Sequence, residues 1–94
     1  MFSITRAAGD TYYGRLIHRN GTVWNTVTSQ FESSPVWANT DIAMTEVSSG
    51  CYVFTPPSGL SFGLYTVAIY KQAGGGPVIG DTLDSEEEIT VVQT

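Results

Sequence analysis

Short runs of Tyr, Val, Ile, Thr and Trp recur along this chain, and Gly, Pro, Asn or Ser interrupts them about every ten residues. Each run is long enough for a strand and too short for a helix with a buried face, and windows of 3.6-residue periodicity are few. The pattern predicts an all-β chain folded as a small antiparallel β-sandwich of about seven strands. With 94 residues and 10.1 kDa, residues 1–94 make one domain. Surface scaling gives it about 64% burial on folding, enough for one modest core.

The individual runs place the strands. Phe2 to Arg6 comes first and turns at Gly9-Asp10. Tyr12 to Arg19 and Thr22 to Val27 flank Asn20-Gly21, a pair that predicts a tight type I′ hairpin. The same Asn20-Gly21-Thr22 matches a glycosylation sequon, but a hairpin turn is the better use of it. From Ser29 to Asn39 the chain reads as a loop broken by Ser33-Ser34-Pro35, with Phe31 and Trp37 anchoring it against the core. Asp41 to Val47 alternates as a strand, and Ser48-Ser49-Gly50 turns into Cys51 to Thr55. Pro56-Pro57-Ser58-Gly59 stops pairing. Gly63 opens a central strand with Tyr65, Val67 and Ile69 on one face and Leu64, Thr66, Ala68 and Tyr70 on the other. Gly74-Gly75-Gly76-Pro77 with Gly80-Asp81 marks a wide loop, either a hairpin tip or a mobile arm. Glu86 to Val92 closes the fold as a strand, because consecutive β-branched residues outweigh the capping-box spacing of Ser85 and Glu88.

Chemistry-bearing residues are sparse. His18, the one histidine, sits between Ile17 and Arg19 in a strand, and there is no nucleophile elbow, phosphate loop or metal-binding His pair. No catalytic residue, cofactor site or metal site is assigned, and the chain reads as a non-enzyme. Cys51, the single cysteine, allows no internal disulfide and reads as a small buried hydrophobe beside Tyr52, Val53 and Phe54.

Charge is distributed unevenly. Residues 1–80 carry four acids and four bases, so the whole net charge of −5 comes from Asp81, Asp84, Glu86, Glu87 and Glu88. That segment is a solvated acidic edge, a partner-facing patch or a set of calcium ligands, although it lacks EF-hand spacing. Without a basic surplus, nucleic acid and membrane surfaces are poor partners. No apolar stretch follows a basic start and no run spans a membrane, which predicts a soluble protein made in the cytoplasm without a signal peptide. Aromatics make up 12% of the chain. If two or three of Tyr12, Tyr13, Trp24, Phe31, Trp37 and Tyr70 lie exposed and coplanar they form a stacking platform for sugar rings or an interface core; otherwise both Trp residues are core.

Ser49-Gly50-Cys51-Tyr52 and Phe62-Gly63-Leu64-Tyr65 both place Gly two residues before Tyr at a strand start, a geometry related to tyrosine corners. With Trp37-Ala38, Ile42-Ala43-Met44-Thr45-Glu46, Gly63 to Gly75 and Gly80-Asp81, these segments resemble short immunoglobulin-like β-sandwich proteins of phage and prophage structural gene sets and related bacterial hypothetical proteins. The resemblance covers roughly residues 13 to 88 and is most specific around Gly63 to Gly75. It implies a virion setting, as a capsid decoration or cement protein or a tail or baseplate component. The implied partners are phage capsid or tail proteins and the chain itself, as a homo-oligomer such as a trimer. It implies no catalytic residues, and Cys51 stands where an aliphatic residue is expected. The alternative is a carbohydrate- or receptor-binding module. Long connections often carry function, so Phe31, Trp37, Pro77, Val78 and Ile79 are the candidate partner-binding residues.

Overall fold

The computed structural model describes residues 2–33 and 35–92; Ser34, in the middle of the predicted Ser33-Ser34-Pro35 break, lies outside the described residues. Nine strands run in chain order as β1 (Phe2–Thr5), β2 (Tyr12–His18), β3 (Val23–Asn25), β4 (Gln30–Glu32), β5 (Ile42–Ala43), β6 (Thr45–Ser48), β7 (Cys51–Phe54), β8 (Gly63–Lys71) and β9 (Thr82–Val91). There is no α-helix among the described residues, only a 3₁₀ turn at Trp37–Asn39. The chain is an all-β antiparallel sandwich. One sheet has the order β1-β7-β6, the other β4-β3-β2-β8-β9, with β5 joining β2. The immunoglobulin arrangement keeps its first two strands in one sheet; here β1 and β2 lie in different sheets.

Two long ladders organise the larger sheet. β2 pairs β8 from Tyr12↔Lys71 to His18↔Tyr65, and β8 pairs β9 from Gly63↔Val91 to Lys71↔Thr82. Strict alternation along β8 sends Tyr65, Val67 and Ile69 inward, and all three are buried. They meet Tyr12 and Leu16 of β2, Ile4 of β1, Tyr52 and Phe54 of β7, and Met44 and Leu60 from the connections. Tyr12 and Tyr52 cross between the sheets edge to face, with centroids 4.8 Å apart. The accessible surface of 5378 Å² agrees with the roughly 5,300 Å² that mass scaling predicts for a compact monomer.

Gly14 sets the sheet separation at the middle of β2. A Cβ there would lie 2.6 Å from Phe54 Cε2 and 2.8 Å from Val67 Cγ1. Gly50 is needed for a different reason: its φ is +79°, and an added Cβ would sit 2.6 Å from the Arg6 carbonyl oxygen, while Arg6 N donates to Gly50 O at the turn from β6 to β7. The repeated Gly-x-Tyr pairs behave as the sequence implies. The Tyr52 hydroxyl donates to Ala7 O at 2.7 Å and the Tyr65 hydroxyl to Ser61 O at 2.8 Å, so each ring is buried with its polar tip satisfied.

Several segments differ from the sequence reading. The β2–β3 turn is a three-residue loop rather than type I′: Gly21 N donates to His18 O, His18 N donates to Thr22 O, and only Gly21 has positive φ. The cause is Asn20, whose Oδ1 accepts from Thr22 N and Thr22 Oγ1 and holds its own backbone out of the left-handed region. The 29–39 loop contains β4, which extends the sheet by pairing with β3. Asp41 to Val47 is not one strand. Met44 N bonds Tyr12 O and the chain then leaves one sheet for the other, giving β5 and β6 and raising the count above seven. Cys51 is half-buried rather than enclosed.

Candidate functional site

Alternation along β2 points Tyr13, Arg15 and Ile17 away from the core, yet Tyr13 is 1% exposed. Register explains the cover. Tyr13 faces Tyr70 across the ladder, and their rings stack at 5.5 Å. The 3₁₀ turn lays Trp37 over them, its ring edge-on to Tyr70 at 5.1 Å and under the Arg15 guanidinium at 3.8 Å. Thr40, fully buried, fastens this layer: its Oγ1 accepts from Arg15 Nε at 2.9 Å and donates to Trp37 O at 2.7 Å. Trp37 thus anchors its segment on the outer face of the larger sheet, not against the sandwich core.

Asp81 closes this cluster from the β8–β9 connection. Its Oδ2 accepts from the Tyr13 hydroxyl at 2.7 Å and from Val78 N at 2.9 Å, and its Oδ1 accepts from Ala73 N at 3.1 Å. The Tyr13 oxygen in turn accepts from Trp37 Nε1 at 3.3 Å. Backbone donation from Val78, then the Tyr13 hydroxyl, holds the Asp81 carboxyl below its ordinary pKa range. Burial, reinforced by the bond to Asp81, pushes the Tyr13 phenol up to about 12. The pair is a fixed clasp. It pins both ends of the 73–81 connection, so the segment predicted as a hairpin tip or mobile arm is a tied hairpin tip. On its crest Val78 is 53% and Ile79 78% exposed, beside half-buried Pro77.

The structure therefore brings Trp37 and the Pro77-Val78-Ile79 segment together through Tyr13. Phe31 belongs elsewhere, on the core-facing side, edge-on to Trp24 at 5.1 Å and stacked on Tyr65 at 5.7 Å. His18 joins that second group, its ring against Phe31 and Tyr65 and its Nδ1 accepting from Asn20 N. The six aromatics form no coplanar platform: Tyr12 and Tyr13 are buried, and Trp37 and Trp24 meet their neighbours at 79° and 73°.

The acidic segment divides. Asp81 is 6% exposed and committed to the clasp. Asp84 is the extra residue where the β8–β9 register shifts, and Arg6 reaches it with Nε at 2.8 Å, linking the end of β1 to the far edge of the other sheet. Glu86, Glu87 and Glu88 line an exposed edge strand. Among the described residues no group of three or more His, Cys, Asp or Glu is arranged to hold a metal ion.

Sequence reasoning missed Tyr13 and Asp81 as a unit. The available signal was Asp81 following Gly80 at the end of a loop, where an Asp side chain commonly accepts from nearby backbone N–H groups. No family model matches the chain, and no curated protein or solved structure matches it either.

Proposed function

We propose that this protein is a non-enzymatic accessory module that docks onto a larger protein assembly through the Pro77-Val78-Ile79 crest. Following the resemblance of its sequence, that assembly is a phage virion, with the chain as a capsid decoration or cement protein. The observation that carries the reading is the exposure of Val78 and Ile79 on a connection whose backbone donates to Asp81 from Ala73 and Val78. Two exposed aliphatics alone are ordinary. Held in place, they lose little further freedom on docking, which lowers the entropic cost of association.

Quantitative mass spectrometry of particles purified from the source host tests this. The protein is expected at a fixed copy number relative to the main shell or tail protein. A doubly substituted Val78→Asp, Ile79→Asp chain is expected to fold as the parent does and to be lost from the particles. Absence of the parent chain from particles contradicts the proposal.

A further inference from the structure

A second feature lies on the other side of the larger sheet, and its reading does not rest on the docking role. Between the β3–β4 hairpin and the 55–61 connection run two adjoining clefts of about 530 Å³ and about 320 Å³. Trp24, Ser29 and Gly59 border both. Together they have the size of small-molecule sites. The chain carries nine acids and four bases, yet no Asp, Glu, Lys or Arg lines either cleft among the described residues. What lines them is ring surface from Trp24, Phe31 and His18, interleaved with the hydroxyls of Thr26, Ser29 and Ser58.

The walls are built in advance. Asn25, only 5% exposed, accepts from Val27 N at 2.8 Å and Thr28 N at 3.2 Å through its Oδ1 and donates from Nδ2 to Glu32. Ser29 N closes the same turn on Asn25 O, and Thr28 Oγ1 ties it again to Glu32. This network holds Ser29 at φ +56°, the one non-glycine residue in the left-handed region among those described. A strained serine at the shared lip of both clefts, with no partner for its hydroxyl among the described residues, is where a ligand contact is looked for. Opposite it, Pro56 and Pro57 fix their own φ, and the Tyr65 hydroxyl holds Ser61 O.

We propose that this groove binds a neutral carbohydrate, with a sugar face against Trp24 and its hydroxyls bonded to Ser29 and Ser58. A sugar ring matches the lining, because it presents C–H groups on its faces and donors and acceptors around its rim. An anionic ligand finds no Lys or Arg here and meets a net charge of −5 on the chain, and a cationic one finds no carboxylate in the lining. A proline-rich peptide would use the same Trp24 surface without needing the hydroxyls of Ser29 and Ser58, so it is the alternative that the titration separates.

The test is a titration of the ¹⁵N-labelled chain, by NMR, with neutral oligosaccharides of glucose, N-acetylglucosamine, galactose and mannose, and in parallel with a proline-rich peptide. At least one sugar is expected to shift the Trp24 indole, Ser29 and Gly59 saturably, with Kd on the order of 1 mM, while the Trp37 indole stays still. Ser29→Gly relieves the strained φ and removes one hydroxyl, so it is expected to melt no lower than the parent and to bind about fivefold more weakly. Ser58→Ala is expected to act alike, which supplies a second variant that leaves the Trp24 wall intact. No saturable shift with any sugar overturns the proposal. So does saturation by the peptide alone, or sugar binding unchanged by both serine substitutions.

Discussion

Gly14→Ala is the sharpest test of how the sheets are spaced. A methyl group at this position would meet Phe54 Cε2 at 2.6 Å, Phe54 Cδ2 at 2.8 Å and Val67 Cγ1 at 2.8 Å, and both neighbours are 0% exposed. Neither ring nor isopropyl group has open space to move into, so the strain is shared by the ladder from β2 to β8 and by β7. Overpacking of a tight core costs about 1–3 kcal/mol. Alanine recovers about 0.5–1 kcal/mol of the backbone entropy that glycine loses. The net expectation is a loss of about 1–2 kcal/mol, which for a domain of this size lowers Tm by roughly 5–15 °C. Urea unfolding followed by tryptophan fluorescence reads the change, and Phe54→Leu supplies the cross-check. If the clash is with the Phe54 ring, the double variant is less destabilised than the sum of the singles by about 1 kcal/mol. A Gly14→Ala protein as stable as its parent, or strictly additive with Phe54→Leu, would refute the reasoning.

Three further outcomes are expected. The Asp81 carboxyl has a folded pKa below its unfolded one, so its stabilisation is present above about pH 4 and is lost as pH falls through the depressed value; Asp81→Asn should flatten the acid limb of stability measured between about pH 2 and 5. The Tyr13 phenol is raised, so its contribution is complete below about pH 10 and lost as pH climbs through about 12; ultraviolet titration should show a late tyrosine step that Tyr13→Phe removes. Tyr65→Phe leaves the Ser61 carbonyl without its hydroxyl donor and should cost about 1 kcal/mol in urea unfolding, with no change in secondary structure by circular dichroism.

The strands that carry the core were legible because their alternation is strict and their side chains unambiguous. Gly63 to Tyr70 reads directly into two faces, and Tyr65, Val67 and Ile69 are buried as the period demands. What escaped was decided by single polar side chains acting locally. Asn20 hydrogen-bonds forward to Thr22 and converts a two-residue turn into a three-residue one. Asn25 folds 26–29 into a turn and so frees Gln30–Glu32 to pair as β4. The break at Met44 is a tertiary decision, since one alternating segment serves two sheets. Asp81 was hidden by its company: in a run of five acids, charge suggested a common role, whereas the fold gives it three donors and leaves the glutamates to solvent. Of the five candidate partner residues, Trp37, Pro77, Val78 and Ile79 converge through a tyrosine that periodicity alone would leave exposed, and Phe31 lines a cleft on the opposite side of the sheet.

The Asp81 clasp implies that the Pro77-Val78-Ile79 crest is held in place before any partner arrives. Amide hydrogen exchange at Val78 and Ala73 measures this directly, because both N–H groups donate to Asp81 in the free chain. Both amides should be protected in the parent and should approach the rates of unstructured chain in Asp81→Asn, while Ile69 in β8 keeps its protection. Rapid exchange of Val78 and Ala73 already in the parent would contradict the account.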